Sequence, residues 1–150
     1  MRRLQGAGRA NSPSMIEIQA MTGLDTNVLV RFFAGDDQPQ CQRAEGLLQK
    51  LSPAEPGFVS LVSLVELVWV LRSQYRLPKT QLIACIETLL NSPELVLESQ
   101  TAIVQSLRRF ASAKGDFADC LIERSCHAAG CTETVTFDVD ASRFSGMKLL

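Results

Sequence analysis

Four acidic residues stand where a chain of this composition has few reasons to place them. Asp25 follows a short extended run, Glu66 opens an apolar helix, Asp119 sits in the first turn of another, and Asp138 ends a β-rich segment. Asp116 lies three residues before Asp119, close enough in a helical turn to face the same point. Carboxylates gathered within a few ångströms repel one another and take up protons unless a cation compensates them. Hard divalent ions prefer such oxygens, so the cluster predicts Mg²⁺ or Mn²⁺. A cation held that way polarises a phosphoryl oxygen and lowers the pKa of a bound water, which is the chemistry of phosphodiester hydrolysis.

Each acid also has a structural explanation. Ser63-Leu64-Val65-Glu66 matches a capping box, in which both side chains satisfy free amides at a helix start. Asp25 is placed to cap the helix beginning at Thr26, Asp116 and Asp119 complement the positive end of theirs, and Asp138 and Asp140 suit a turn. The joint placement of at least four carboxylates at strand-to-helix junctions favours the metal site.

The elements that must position these acids follow from periodicity. Met21 to Asp25 reads as extended, and Val28, Leu29, Phe32 and Phe33 then follow helical spacing. Cys41, Ala44, Leu47, Leu48 and Leu51 mark a second helix, Gly57 to Ser60 a strand, and Ser63 the start of the helix carrying Glu66. A helix after Leu77-Pro78, a strand over Glu94–Glu98, a helix over Thr101–Ala113, another from Asp116 to Gly130 and a strand over Thr134–Phe137 complete the pattern. Alternating strands and helices predict a three-layer α/β/α sandwich around a central parallel sheet, with ligands beyond the carboxyl ends of the strands.

Composition excludes several classes. At 150 residues, 46% hydrophobic and 21% charged, the chain has the make-up of one compact globular domain, and no run approaches the roughly 20 apolar residues of a membrane span. Five cysteines without a C-x-x-C pair, and no recognisable signal peptide, predict a reduced, cytoplasmic protein. Cys120, Cys126, His127 and Cys131 lack the ligand spacing of structural zinc. The only histidine, His127, has no Ser or Cys nucleophile in its sequence context, and no phosphate-cradling glycine motif is present. Residues 1–20 carry Arg2, Arg3 and Arg9 without an apolar face; they read as a disordered extension or as the product of an upstream start codon, with the domain at 21–150. Without them the formal charge moves from −1 to −3, since three arginines and Glu17 are lost.

At the acidic motifs the chain resembles the PIN-domain family, and within it VapC-like ribonuclease toxins of type II toxin–antitoxin pairs. The resemblance rests on Leu24-Asp25-Thr26-Asn27-Val28-Leu29-Val30-Arg31, on Ser63 through Leu71, on Asp116-Phe117-Ala118-Asp119-Cys120-Leu121-Ile122, and on Thr136-Phe137-Asp138. It implies that Asp25, Glu66 and Asp119 hold the ion, with Asp138 completing the quartet and Asp116 a fifth acid. Thr26, Asn27 and Thr136 would orient them, as ligating carboxylates require. It further implies endonucleolytic cleavage of RNA, a homodimer, and inhibition by a cognate antitoxin whose tail fills the groove.

Arg31, Arg72, Arg76, Lys79, Arg108, Arg109, Lys114 and Arg124 are candidate phosphate contacts. Arg31 and Arg72 lead, because each follows a motif acid by six residues. Trp69, Phe32 and Phe33 fit either the core or a partner groove. Two other readings compete: a phospho-acceptor receiver-like module, disfavoured because Leu95 to Leu97 leads to Glu98 and no matching Asp, and a non-catalytic PIN-like binding module.

Overall fold

The computed structural model describes residues 15–150. The expectation for residues 1–14 lies outside them; residues 15–20 are irregular and exposed, with the Gln19 N–H donating to the Ala54 carbonyl at 2.9 Å. The elements run β1 (Thr22–Gly23), α1 (Thr26–Phe33), α2 (Gln38–Leu48), β2 (Gly57–Val59), α3 (Leu61–Ser73), α4 (Lys79–Leu90), β3 (Leu95–Leu97), α5 (Gln100–Ser112), α6 (Phe117–Ala128), β4 (Val135–Thr136), α7 (Val139–Phe144) and β5 (Lys148–Leu149). All strand pairing is parallel. β1, β2 and β3 form one ladder in that order, and β4 pairs with β5 in a second. The architecture is α/β, as the alternation of elements predicts, although the parallel strands are short and fall into two pieces.

Helices reach the sheet through side chains spaced three and four apart. On α3, Leu64, Leu67, Val68 and Leu71 are buried, and each leucine removed from water contributes roughly 1.5–3 kcal/mol. They join Leu29 and Val30 of α1, Ile86 of α4, Ile103 and Phe110 of α5, and Phe117 and Leu121 of α6 in one core. α1 packs on α3, and α5 lies along α6. Phe32 and Phe33 pack against this core, whereas Trp69 points away from it.

Three boundaries differ from the sequence reading. α3 begins at Leu61, two residues before Ser63, because Ser60 is its true cap: the Ser60 Oγ accepts from the Ser63 N–H. The Glu98 carboxylate accepts from the Leu61 N–H at 2.8 Å, adding a second acceptor from the end of β3. Glu66 therefore lies in the second turn, and the capping box at Ser63 and Glu66 does not form. The third difference is α7 with β5, where the sequence suggested only a turn after Asp138.

Glycine matters at two points near the chain's last elements. A Cβ at Gly115 would stand 2.8 Å from the Ser145 Oγ and 3.2 Å from the Phe144 carbonyl, so only glycine lets the end of α7 close on the α5–α6 turn. Gly146 has φ +81°, the left-handed region open to glycine. Its neighbour Ser145 offers its carbonyl to the Arg109 guanidinium at 2.8 Å.

Candidate active site

Asp25 immediately precedes α1, where an aspartate ordinarily caps, yet its side chain makes no capping hydrogen bond and stays exposed. Thr26, the next residue, is buried and donates its hydroxyl to the Glu66 Oε2 at 2.9 Å. That bond ties the start of α1 to the second turn of α3 and orients an otherwise exposed carboxylate. Neither acid is absorbed by local structure.

The third group belongs to α6. Asp116 occupies its cap position, again without a capping hydrogen bond, and Asp119 lies in the first turn. Burial pushes the Asp119 carboxyl above the ordinary aspartate range, and the charges of Asp116 and Asp138 push it further. Among the described residues no cation pairs with Asp119, while the Arg72 guanidinium reaches Asp116 at 3.6 Å, an exposed and weak pair.

Asp138 has a structural role as well: its Oδ1 accepts from the Asp140 and Ala141 N–H groups at 2.8 and 3.1 Å, capping α7. The Asp138 N–H in turn donates to the Thr136 Oγ1 at 3.0 Å. Thr136 thus holds the loop between β4 and α7, and the second carboxylate oxygen of Asp138 makes no hydrogen bond within the described residues.

Two candidates are engaged elsewhere. Arg31 donates to the Asp36 carboxylate at 2.6 Å and to the Gln40 side chain at 2.7 Å, and the Tyr75 hydroxyl also donates to Asp36 at 2.7 Å. The Tyr75 bond, more than Arg31, holds the Asp36 carboxyl below its ordinary range. Arg31 and Asn27 line a separate cleft between α1 and α2. Arg72 alone of the two leading arginines lines a groove with motif acids. Of the other cations, Arg109 and Arg124 pair with Glu123, and Lys79 donates to the Ala113 carbonyl above the Phe110 ring.

The groove, about 630 Å³, lies between α3 and α6, with Glu66, Arg72 and Asp116 set among Val62, Trp69 and Ile122. Val62 is 76% exposed, Trp69 61% and Ile122 51%. Val62, Glu66 and Trp69 recur at helical spacing along α3, so one face of that helix carries both the acid and an uncovered apolar stripe.

A hard cation suits this donor set. All five acids offer oxygen, and Asp119 carries repulsion that a positive charge would relieve. Among the described residues no group of three or more His, Cys, Asp or Glu side chains stands close enough together to hold a metal ion. A hydrated Mg²⁺ does not require one, since it keeps several waters and takes one or two carboxylates. Cys41, Cys85, Cys120, Cys126 and Cys131 are free thiols.

Sequence reasoning missed Ser60, Glu98 and Glu123. Ser60 carried a local signal, a serine just ahead of an apolar run; Glu98 acts across the fold and left none, and Glu123 pairs with its neighbour Arg124 as well as with the distant Arg109.

Comparison with known proteins identifies the family. The VapC ribonuclease of Aquifex aeolicus (strain VF5) is 29% identical to the chain over 115 residues, covering 76% of this chain and 84% of that protein. A family model for the PIN domain matches residues 23–147, a span that contains every acid of the cluster. The chain belongs to the PIN-domain family.

Proposed function

We propose that the protein is an Mg²⁺- or Mn²⁺-dependent endoribonuclease, a VapC-like toxin restrained by a cognate antitoxin. The observation that carries this reading is Asp119: a half-buried carboxylate, raised in proton affinity by burial and by Asp116 and Asp138, with no cationic partner of its own among the described residues. The similarity to a protein named VapC ribonuclease supplies the substrate class. Family membership sets the receiver-like reading aside.

In this reading Asp25, Glu66 and Asp119 hold the cation directly or through water, Asp116 adds charge, and Asp138 completes the quartet with its free oxygen. When bound, the cation would polarise the phosphoryl group and supply a more acidic water. Thr26 fixes the Glu66 carboxylate, and Thr136 fixes the backbone that presents Asp138. Arg72, exposed and loosely paired with Asp116, offers its guanidinium to a phosphate oxygen entering the groove.

The apolar stripe of Val62, Trp69 and Ile122 supports a homodimer through α3 and α6, since aromatic and aliphatic anchors of this size are usually covered by a partner. No helix among the described residues is long and apolar enough to cross a membrane. The free thiols suit a reducing, cytoplasmic setting.

Purified, antitoxin-free protein is expected to cleave members of a panel of structured RNAs with Mg²⁺ or Mn²⁺ and to stop when the metal is chelated. Binding of the whole panel without cleavage of any member sinks the nuclease reading and leaves the non-catalytic binding module.

A further inference from the structure

Phe137 is 83% exposed, the largest exposure of any aromatic ring among the bulky hydrophobics that reach solvent. A phenylalanine so placed covers no core and offers no hydrogen bond; a lone exposed ring is common on protein surfaces. Its position distinguishes this one. It directly precedes Asp138 and directly follows Thr136, and the backbone on both sides is fixed by the Asp138 N–H to Thr136 Oγ1 bond and by the two bonds that Asp138 accepts from α7. The ring is therefore projected from a braced turn, one residue from a carboxylate whose charge is felt at Asp119.

We infer that Phe137 is a stacking platform for a base of single-stranded RNA, next to the phosphate presented to the acids. The inference rests on the nuclease reading and adds to it a positioning residue. An aromatic face suits any base, because every base has a π-face, and stacking on a side chain is open only to bases already free of a duplex. A rigid ring orders little on binding, so most of the stacking energy is retained. The acids around it repel phosphates, which makes an uncharged contact beside them more useful than another arginine. Val135 and Val139, each half-exposed, stand two residues to either side of Phe137 in the chain and add apolar surface to the segment.

The test uses the full chain carrying Asp119→Asn, which prevents cleavage, and a short unstructured oligoribonucleotide with one 2-aminopurine. Phe137→Ala is expected to weaken binding roughly 5- to 100-fold and to abolish the quenching that stacking causes. Phe137→Trp should restore both, and Phe137→Leu, apolar but unable to stack, should restore neither. In the otherwise native chain Phe137→Ala should raise KM for this RNA while leaving the profile of rate against Mg²⁺ unchanged. Full binding by Phe137→Leu, or by Phe137→Ala, overturns the platform while native cleavage shows the nuclease reading intact. A change in oligomeric mass on Phe137→Ala assigns the ring to a protein partner and also overturns it. If the native chain neither binds nor cleaves, both readings fall together.

Discussion

Asp119 and Glu123 stand four residues apart on α6 and meet opposite surroundings. Glu123 is buried, yet Arg124 grips it through two bonds of 2.5 and 2.7 Å and Arg109 approaches at 3.5 Å. The Arg124 hydrogen bond, outweighing burial, holds the Glu123 carboxyl below its ordinary range. Asp119 is no more buried, but its neighbours are Asp116 and Asp138, and its carboxyl is held high. The same helix therefore contains a neutralised acid and an uncompensated one. Among the described residues two arginines meet the first acid and none meets the second, the asymmetry on which the proposed cation site rests.

The comparison is broken most severely at Asp119 itself. Asp119→Asn should lower metal-dependent RNA cleavage by at least about 100-fold, since a ligand lost costs no less than a supporting residue. The metal-free melting temperature should stay level or rise, because the folded carboxyl lies above its unfolded value. The penalty of that raised pKa is full at neutral pH and vanishes in acid, where the folded and unfolded forms are both protonated. A clear fall in metal-free stability would instead show that Asp119 is structural.

Thr26→Val comes next, removing the hydroxyl that orients Glu66. Metal affinity or activity should drop roughly 10- to 100-fold, with Thr26→Ser recovering most of it. Titration of cleavage rate against Mg²⁺ would separate lost affinity from lost turnover.

At the neutralised site, Glu123→Gln should cost about 1–3 kcal/mol in denaturant unfolding and leave cleavage nearly intact. Here the folded carboxyl lies below its unfolded value, so its stabilisation is fully present above the unfolded value and is lost as pH falls through the folded one. The penalty of Glu123→Gln should thus shrink on acidification. The smallest expected effect concerns α3: Ser60→Ala should cost about 1 kcal/mol, whereas Ser63→Ala should cost a few tenths. Equal losses would restore the capping box.

How much of this was legible depended on the range of the interaction. The junctions at Asp25, Asp116 and Asp138 could be read because strand, cap and helix are neighbours in sequence. The start of α3 differs because Ser63 and Glu66 imitate a local motif, while the real cap combines Ser60 with Glu98, which lies 37 residues from the Leu61 N–H it accepts. The six-residue α7 is too short to show periodicity, and Asp138 with Asp140 imitates a turn. Arg31 followed Asp25 at the same spacing as Arg72 follows Glu66, but Asp36, Gln40 and Tyr75 claim it, and the sequence carried no sign of that network. The acids themselves were visible; their unequal compensation was not.

The bond from Thr26 to Glu66 joins early elements, whereas Asp119 and Asp138 come from late ones, and this has a consequence for synthesis. A ribosome adds roughly 5–20 residues per second, so Asp138 emerges on the order of 5–25 seconds after Asp25. Through that interval the nascent chain can dock α1 on α3 yet lacks half of its acids. On the proposed ribonuclease reading, a newborn chain cannot yet cut the message that encodes it, and the capacity to do so arrives only near the end of translation.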